Sequence, residues 1–460
     1  MVIRRVSFIE AGSPGLHIFS KFPIPRLGAV LLSTILRERG YEVRAFIEDV
    51  AKPDWSFIEN SDLVCISTIT STAIKAYGMG QRLKTLGIPV IMGGAHPTFM
   101  PDESLEYADF VIRGEGEHSL VKLLEHLGKG TPALTGINGL SYRDREGRNV
   151  HNPSGEFIED LDSLPEPDFS LVHKWNLSNT YPVSTSRGCP YDCKFCSVIR
   201  MFGRSYRFKS VEATLKELTY VASVSKATKF IVDDNFAANK RRTKEILRGM
   251  IAEGIKTRWS AQVRTDVARD PELLRLMADS GCHTLYIGFE SINPGTLEAY
   301  NKKQGLEDII SCIRTVRDHG IHIHGMFVLG ADTDDVETIR GTADFATGHG
   351  IDTVQFLILT PLPGTPLFHD MMKSGRLLHT DWSKYDVQHV VFKPRLMSTA
   401  TLQIETLRAM GRFYSWRYIF RYLARLDFHY AAIGAFGKTS IHKALKSSYA
   451  YLHEADVHEN

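Results

Sequence analysis

Short apolar runs alternate with segments of helical period along most of the chain. RRVSFIEAG (residues 4–12) predicts a strand, and IPRLGAVLLSTILRERG (24–40) carries a helical apolar stripe that stops at Gly40, a C-cap signal. YEVRAFIE, DLVCIST, IPVIMGG and DFVIRG are four further strand candidates rich in Val, Ile and Phe. STAIKAYGMGQRLKTLG and GEHSLVKLLEHLGKG have the helical period. Five strands alternating with helices predict a doubly wound parallel sheet, which takes ligands at the carboxyl ends of its strands. Those ends read STITST, GGAHPTFMP and RGEGE.

A polar stretch from Ser141 to Ser170 predicts a hairpin and a linker. Alternation then resumes in YPVSTSR, KFIVDD, TRWSAQVR, TLYIGFE, IHIHGMFVLG and TVQFLILT, with helical segments between them, several closing on Gly. Six such units are too few for an eight-stranded barrel, so a partial (β/α)6 barrel is expected, with its site at the strand C-termini. From Arg395 onward the chain reads as a helical tail. The expected domains are 1–140, a linker over 141–180, the barrel over 181–394 and the tail over 395–460.

Composition adds little beyond exclusions. With 43% hydrophobic and 23% charged residues the chain has the balance of a soluble globular protein, and a net charge of +2 gives no field to recruit nucleic acid. No apolar run is long enough to span a bilayer, and no signal peptide opens the chain, so a cytoplasmic location is expected.

The chemistry concentrates in RGCPYDCKFCS, directly after the first barrel strand. Cys189, Cys193 and Cys196 are half of the chain's six cysteines, spaced C-x3-C-x2-C. Thiolates suit zinc and iron–sulfur centres, but a closed structural zinc site needs a fourth ligand, and the next cysteine is Cys282. The spacing alone implies an incompletely ligated metal centre.

This motif, with Phe195 before its last cysteine, resembles the signature of radical S-adenosylmethionine (SAM) enzymes. The resemblance implies a [4Fe-4S] cluster whose open iron is chelated by SAM, an external one-electron donor, and a 5′-deoxyadenosyl radical that takes hydrogen from a small-molecule substrate. It also implies SAM contacts at the strand ends. The Gly-Gly-Glu motif found in many members is missing, so Asp234 or Asn235 would hold the methionyl amine. Gln262 and Arg264 end the third strand, and an Arg there can pair with the SAM carboxylate or serve a structural ion pair. Glu290 would bind ribose hydroxyls, since a carboxylate among apolar residues needs a hydroxyl or cation partner. Phe327 and Leu359 would flank adenine.

The first domain resembles the cobalamin (B12)-binding domain that precedes the barrel in one large subclass. That likeness implies a Rossmann-like B12 site at Ser67, Thr68, Gly93, Gly94, Ala95, His96, Gly114 and Glu115. The D-x-H-x-x-G motif that supplies a histidine beneath cobalt is absent, which implies a cobalt with no histidine lower ligand unless His17 reaches it, with His96 a second candidate. The resemblance implies methyl transfer to an unactivated carbon or phosphorus as the commonest outcome, with non-methylating radical chemistry and a non-enzymatic cobalamin or redox sensor as rivals.

No side chain stands out as a proton donor or radical quencher. Tyr286, His322 and His324 lie on barrel strands, where core packing explains them as well. The tail segment RFYSWRYIFRYLARL interleaves Arg with aromatics. It predicts either a helix docked on the barrel with Arg snorkelling outward, or one that lies on a membrane or lines a hydrophobic substrate's pocket.

Overall fold

A computed structural model describes residues 2–13 and 26–459, so His17 lies outside the described residues. The chain forms two compact units, residues 1–191 with 197–230, and residues 192–196 with 231–460.

The first unit carries a seven-stranded sheet of order β2-β1-β3-β4-β5-β6-β7. Its strands are β1 (Arg5–Glu10), β2 (Glu42–Ile47), β3 (Leu63–Ser67), β4 (Val90–Gly93), β5 (Phe110–Ile112), β6 (Leu140–Arg143) and β7 (Asn149–His151). β1 to β5 pair in parallel, each at a run of apolar residues that helices cover from both faces. The order reverses between β1 and β3, the switch point where such sheets take ligands.

The hairpin expected at the start of the polar stretch is β6–β7. It adds antiparallel to β5, with Leu140 opposite Ile112 and Tyr142 opposite Phe110. Leu140, Ser141 and Tyr142 are all buried, so this polar-looking stretch has enough apolar surface to extend a sheet edge.

Further along lie β8 (Thr180–Val183), β9 (Ser186–Arg187), β10 (Arg207–Phe208) and β11 (Thr228–Ile231). The second unit follows with β12 (Trp259–Val263), β13 (Cys282–Glu290), β14 (His322–Leu329) and β15 (Thr353–Ile358). The six-stranded sheet has the order β15-β14-β13-β12-β11-β8, that of a partial barrel. β12 to β15 run parallel, with helices Pro271–Asp279, Leu306–Asp318 and Val336–Gly348 between successive strands.

The tail is helical over Thr399–Phe413, Trp416–Leu423 and Phe428–Glu459. It closes the amino end of the strand layer through tyrosines. Tyr418 Oη donates to Asp352 O at 2.7 Å and Tyr422 Oη to Asp352 Oδ1 at 2.9 Å. Tyr414 Oη sits 3.1 Å from both Val354 N and Val354 O. No helix among the described residues is long and apolar enough to cross a membrane.

Candidate functional site

The cysteine motif occupies the loop between β9 and the short helix Val198–Phe202. Gly188 starts the loop with φ +89, and a Cβ there would lie 2.2 Å from Ser205 O, so only glycine fits. Cys189 N donates to Gly203 O at 3.3 Å, and Cys189 Sγ lies 3.9 Å from Tyr206 Oη. Further along, Cys196 N donates to Cys193 O at 3.1 Å, and Lys194 O accepts from Leu367 N at 3.2 Å.

The other three cysteines are unsuited to be a fourth ligand. Cys65, Cys282 and Cys312 are buried on sheet or helix faces, and burial pushes all three thiols up, that of Cys312 to about 12. A thiol held protonated is neither a nucleophile nor a ligand. No group of three His, Cys, Asp or Glu side chains among the described residues is arranged to hold a single metal ion. Three cysteines on one short loop, with every other thiol sealed in core, fit a cluster that keeps one corner for a ligand.

At the end of β11, Asp234 is exposed, whereas Asp233 and Asn235 are buried. Desolvation first, and the neighbouring Asp233 second, push Asp234 up to about 7. Asn235 Oδ1 is buried with no hydrogen-bond donor, a vacant acceptor beside it. These two atoms suit a ligand ammonium.

At the end of β13, Phe289 is an extra residue in the ladder, because Gly288 faces Met326 while Glu290 faces Phe327. Glu290 is left at φ +64, a strained conformation for a side-chain-bearing residue. Its carboxylate folds back over Gly288, where a Cβ would lie 2.6 Å from Glu290 Oε1. The buried carboxylate gains the cation partner it needs from Lys302, with Nζ 2.8 Å from Oε1.

Lys302 belongs to Tyr300–Gln304, a segment the sequence reading passed over. Tyr300 stacks edge-on against Phe195 of the cysteine motif at 4.9 Å between ring centroids. Asn301 Nδ2 reaches Asp192 O at 3.4 Å. Gln304 Nε2 donates to Phe289 O at 2.8 Å, and its Oε1 accepts from Thr265 Oγ1 at 2.9 Å. Four of these five residues thus touch the cysteine loop and the ends of β12 and β13. The apolar ring at Phe195 is a packing contact of that loop. Gln262 and Arg264 are both half-buried at the end of β12, and Gln262 O accepts from Phe236 N at 2.9 Å.

Phe327 needs correction as an adenine wall. Phe327 is fully buried between Phe289 and Phe356, each at 5.6 Å between ring centroids. Leu359 is also buried, its amide donating to Leu329 O at 2.8 Å. Side chains alternate along a strand. The accessible face is therefore the other one, where Gly288, Met326 and Gln355 stand in register, with Leu357 beyond them.

The first unit's expected ligand residues divide in the same way. Ser67, Gly93, Ala95 and Gly114 are partly accessible at the carboxyl edge of the sheet. A Cβ on Gly114 would meet nothing within 4 Å, and one on Gly93 only Ile112 O at 3.6 Å. Small residues here leave bare backbone for a broad ligand, so the edge fits a corrinoid.

Thr68, His96 and Glu115 are buried, and Gly94, itself partly accessible, has a conformational role as well. Thr68 is buried, with Oγ1 2.7 Å from Thr72 Oγ1 and donating to Ile69 O at 3.0 Å, so its hydroxyl is spent within its own turn. Gly94, at φ +100, lets the chain cross Thr68, whose O would lie 2.5 Å from a Cβ. His96 is fully buried with Nε2 2.9 Å from Tyr77 Oη, and burial lowers it to about 4, so the ring is neutral and turned into the core.

Glu115 accepts from Arg207 Nη1 at 2.9 Å and Nη2 at 2.6 Å, and from Ile158 N at 2.7 Å. Arg187 lies 3.3 Å from Glu115 and bonds Glu117 at 2.7 Å. Burial raises the Glu115 pKa, but hydrogen bonds from Arg207 and the charge of Arg187 outweigh it and hold the carboxyl low. The Glu115 carboxylate thus braces β9 and β10, the strands flanking the cysteine loop.

Comparison with known proteins places this geometry in a family. A family model described as Radical SAM superfamily matches residues 183–346, and one described as B12 binding domain matches residues 18–124. An uncharacterized methyltransferase of Pyrococcus horikoshii is 32% identical over 85% of this chain and 88% of its own length. Bacteriochlorophyllide d C-12(1)-methyltransferase of Chlorobaculum tepidum is 32% identical over 73% of this chain and 70% of its own. Among solved structures, the radical SAM methyltransferase TsrM of Kitasatospora setae, with cobalamin and a [4Fe-4S] cluster bound, matches with a TM-score of 0.68. That match has 20% identity and covers 81% of this chain and 78% of TsrM, a likeness of fold. The chain belongs to the radical SAM enzymes that carry an N-terminal cobalamin-binding domain.

Proposed function

We propose that the protein transfers a methyl group to an unactivated carbon or phosphorus of a small, hydrophobic substrate. The observation that carries this reading is the presence, on one chain, of a three-cysteine loop and a sheet edge stripped to small residues. When bound, the cluster and SAM supply a carbon-centred radical, and cobalamin carries the methyl group.

The chain's own residues hold and orient these groups. Cys189, Cys193 and Cys196 hold three irons. Asp234 and Asn235 Oδ1 accept from the methionyl ammonium, Arg264 faces the carboxylate, and Glu290, paired with Lys302, accepts from ribose hydroxyls. Gln262, Met326, Gln355 and Leu357 line the remainder of the face. Ser67, Gly93, Ala95 and Gly114 border the corrin. Within each unit these contacts would fix the orientation of the group bound there and so remove orientational entropy from the barrier.

Anaerobic turnover with methyl-labelled SAM, a reductant and candidate substrates tests the reading. Label in the product supports methyl transfer. Stoichiometric 5′-deoxyadenosine with an unlabelled, altered product rejects it in favour of ring formation, oxidation or rearrangement.

A further inference from the structure

The tail helix Trp416–Leu423 has two apolar faces, and the barrel uses one. Tyr418, Ile419 and Tyr422 are buried. Trp416 is 59% exposed, Phe420 63% and Leu423 38%, and the turn that follows adds Leu426 at 76% and Phe428 at 66%. Single exposed apolar residues are ordinary, but five large ones within a helix and its turn form a patch. Trp416 and Phe420 adjoin, with ring centroids 6.2 Å apart, and Lys438 Nζ lies 5.3 Å from the Trp416 ring.

The charge around the patch selects its occupant. Residues 412–446 hold seven Lys and Arg and one acid, Asp427. This segment therefore carries +6 of a chain whose total is +2, leaving −4 for the rest. Arg412, Arg417, Arg425, Lys443 and Lys446 are exposed, and Asp427 is occupied in accepting from Tyr430 N at 3.2 Å. A symmetric second copy would set +6 against +6. An anionic surface that also accepts apolar side chains meets both demands, and among common partners a bilayer interface does so.

We propose that Trp416, Phe420, Leu423, Leu426 and Phe428 dock the protein on a membrane surface bearing anionic headgroups, with the surrounding Arg and Lys facing those headgroups. This is peripheral attachment and stands independently of the reaction catalysed.

The test is flotation of the anaerobically purified, full-length holoprotein with phosphatidylcholine vesicles, with and without phosphatidylglycerol. Binding is expected to the phosphatidylglycerol vesicles and to fall as salt rises. The pair Arg417→Gln and Arg425→Gln should lower that partition about 30-fold, from about 1 kcal/mol per basic side chain near an anionic surface. The pair Trp416→Ser and Phe420→Ser should abolish it. These side chains are solvent-exposed, so both variants should keep the parent's melting temperature and iron content, which verifies that any loss is one of docking. Failure to float with either vesicle, or equal flotation with both, overturns the proposal. So does a dimer in sedimentation velocity that the Trp416/Phe420 variant dissolves, since a second copy would then cover the face.

Discussion

Replacing Glu115 with Gln would leave one positive charge uncompensated among groups with almost no contact with solvent. The Glu115 side chain is 1% exposed and that of Arg207 4%. Two arginines here face two glutamates, so the network is neutral. In Glu115→Gln, Arg187 keeps Glu117, whereas Arg207 keeps only neutral acceptors, the new amide oxygen and the carbonyls of Ile158 at 2.7 Å and Phe202 at 2.9 Å. Breaking a buried, hydrogen-bonded pair on one side costs about 3 kcal/mol, because a desolvated charge is left behind. Hydrogen exchange followed by mass spectrometry reads this locally, as a roughly 100-fold fall in protection of peptides spanning β10 and residue 158. Removing both charges, with Glu115→Gln and Arg207→Gln, should cost clearly less than the sum of the single changes. The lowered carboxyl also fixes the pH dependence. Its contribution is full above the ordinary carboxylate range and is lost as pH falls through the lowered value. A single change that costs less than about 1 kcal/mol, or additive costs in the double variant, would refute a coupled buried pair.

Asp234 should make SAM affinity pH-dependent. Ionised above about 7, its carboxylate would strengthen binding of the SAM ammonium severalfold between about pH 6 and about pH 8, and Asp234→Asn would flatten that profile in anaerobic calorimetry. Lys302→Met should weaken SAM binding at least about tenfold by leaving the Glu290 carboxylate buried and unpaired, with Lys302→Arg milder; equal affinity in all three proteins contradicts the pairing. Alanine at Cys189, Cys193 or Cys196 should empty the protein of iron and of the cluster's share of its visible absorbance. Cys282→Ala and Cys312→Ala should lower the melting temperature yet keep the iron, because those thiols fill core.

Local pattern and long-range partnership differ in how much of them sequence carries. The strands β1 to β5 and β12 to β15 could be read because apolar runs and turn signals are local. The cysteine loop could be read because its ligands lie within eight positions. Thr68, His96 and Glu115 looked like ligand residues because polar side chains at strand ends often are, yet Thr68 and Glu115 are satisfied by the protein and His96 is buried with Nε2 bonded to Tyr77. Arg207 lies 92 residues from Glu115 and Tyr77 lies 19 from His96, and nothing in either local pattern announces the pairing. Phe327 failed for a different reason. Both faces of β14 are rich in apolar residues, so choosing the ligand face needs the register against β13 and β15, which pairing alone supplies.

The bulge at Phe289 also explains why Tyr300–Gln304 matters although no motif marked it. A carboxylate residue at φ +64 persists only where its surroundings over-determine it. Gln304 fixes the carbonyl of Phe289 just before Glu290, Lys302 holds the Glu290 carboxylate, and Gly288 leaves the room beneath it. Tyr300 and Asn301 then tie the same segment to Phe195 and Asp192. The strain at Glu290 and the seating of the cysteine loop are therefore sustained by one short stretch of chain. A change that loosens this stretch should disturb the carboxylate and the loop together, even where it touches neither a cysteine nor a ligand.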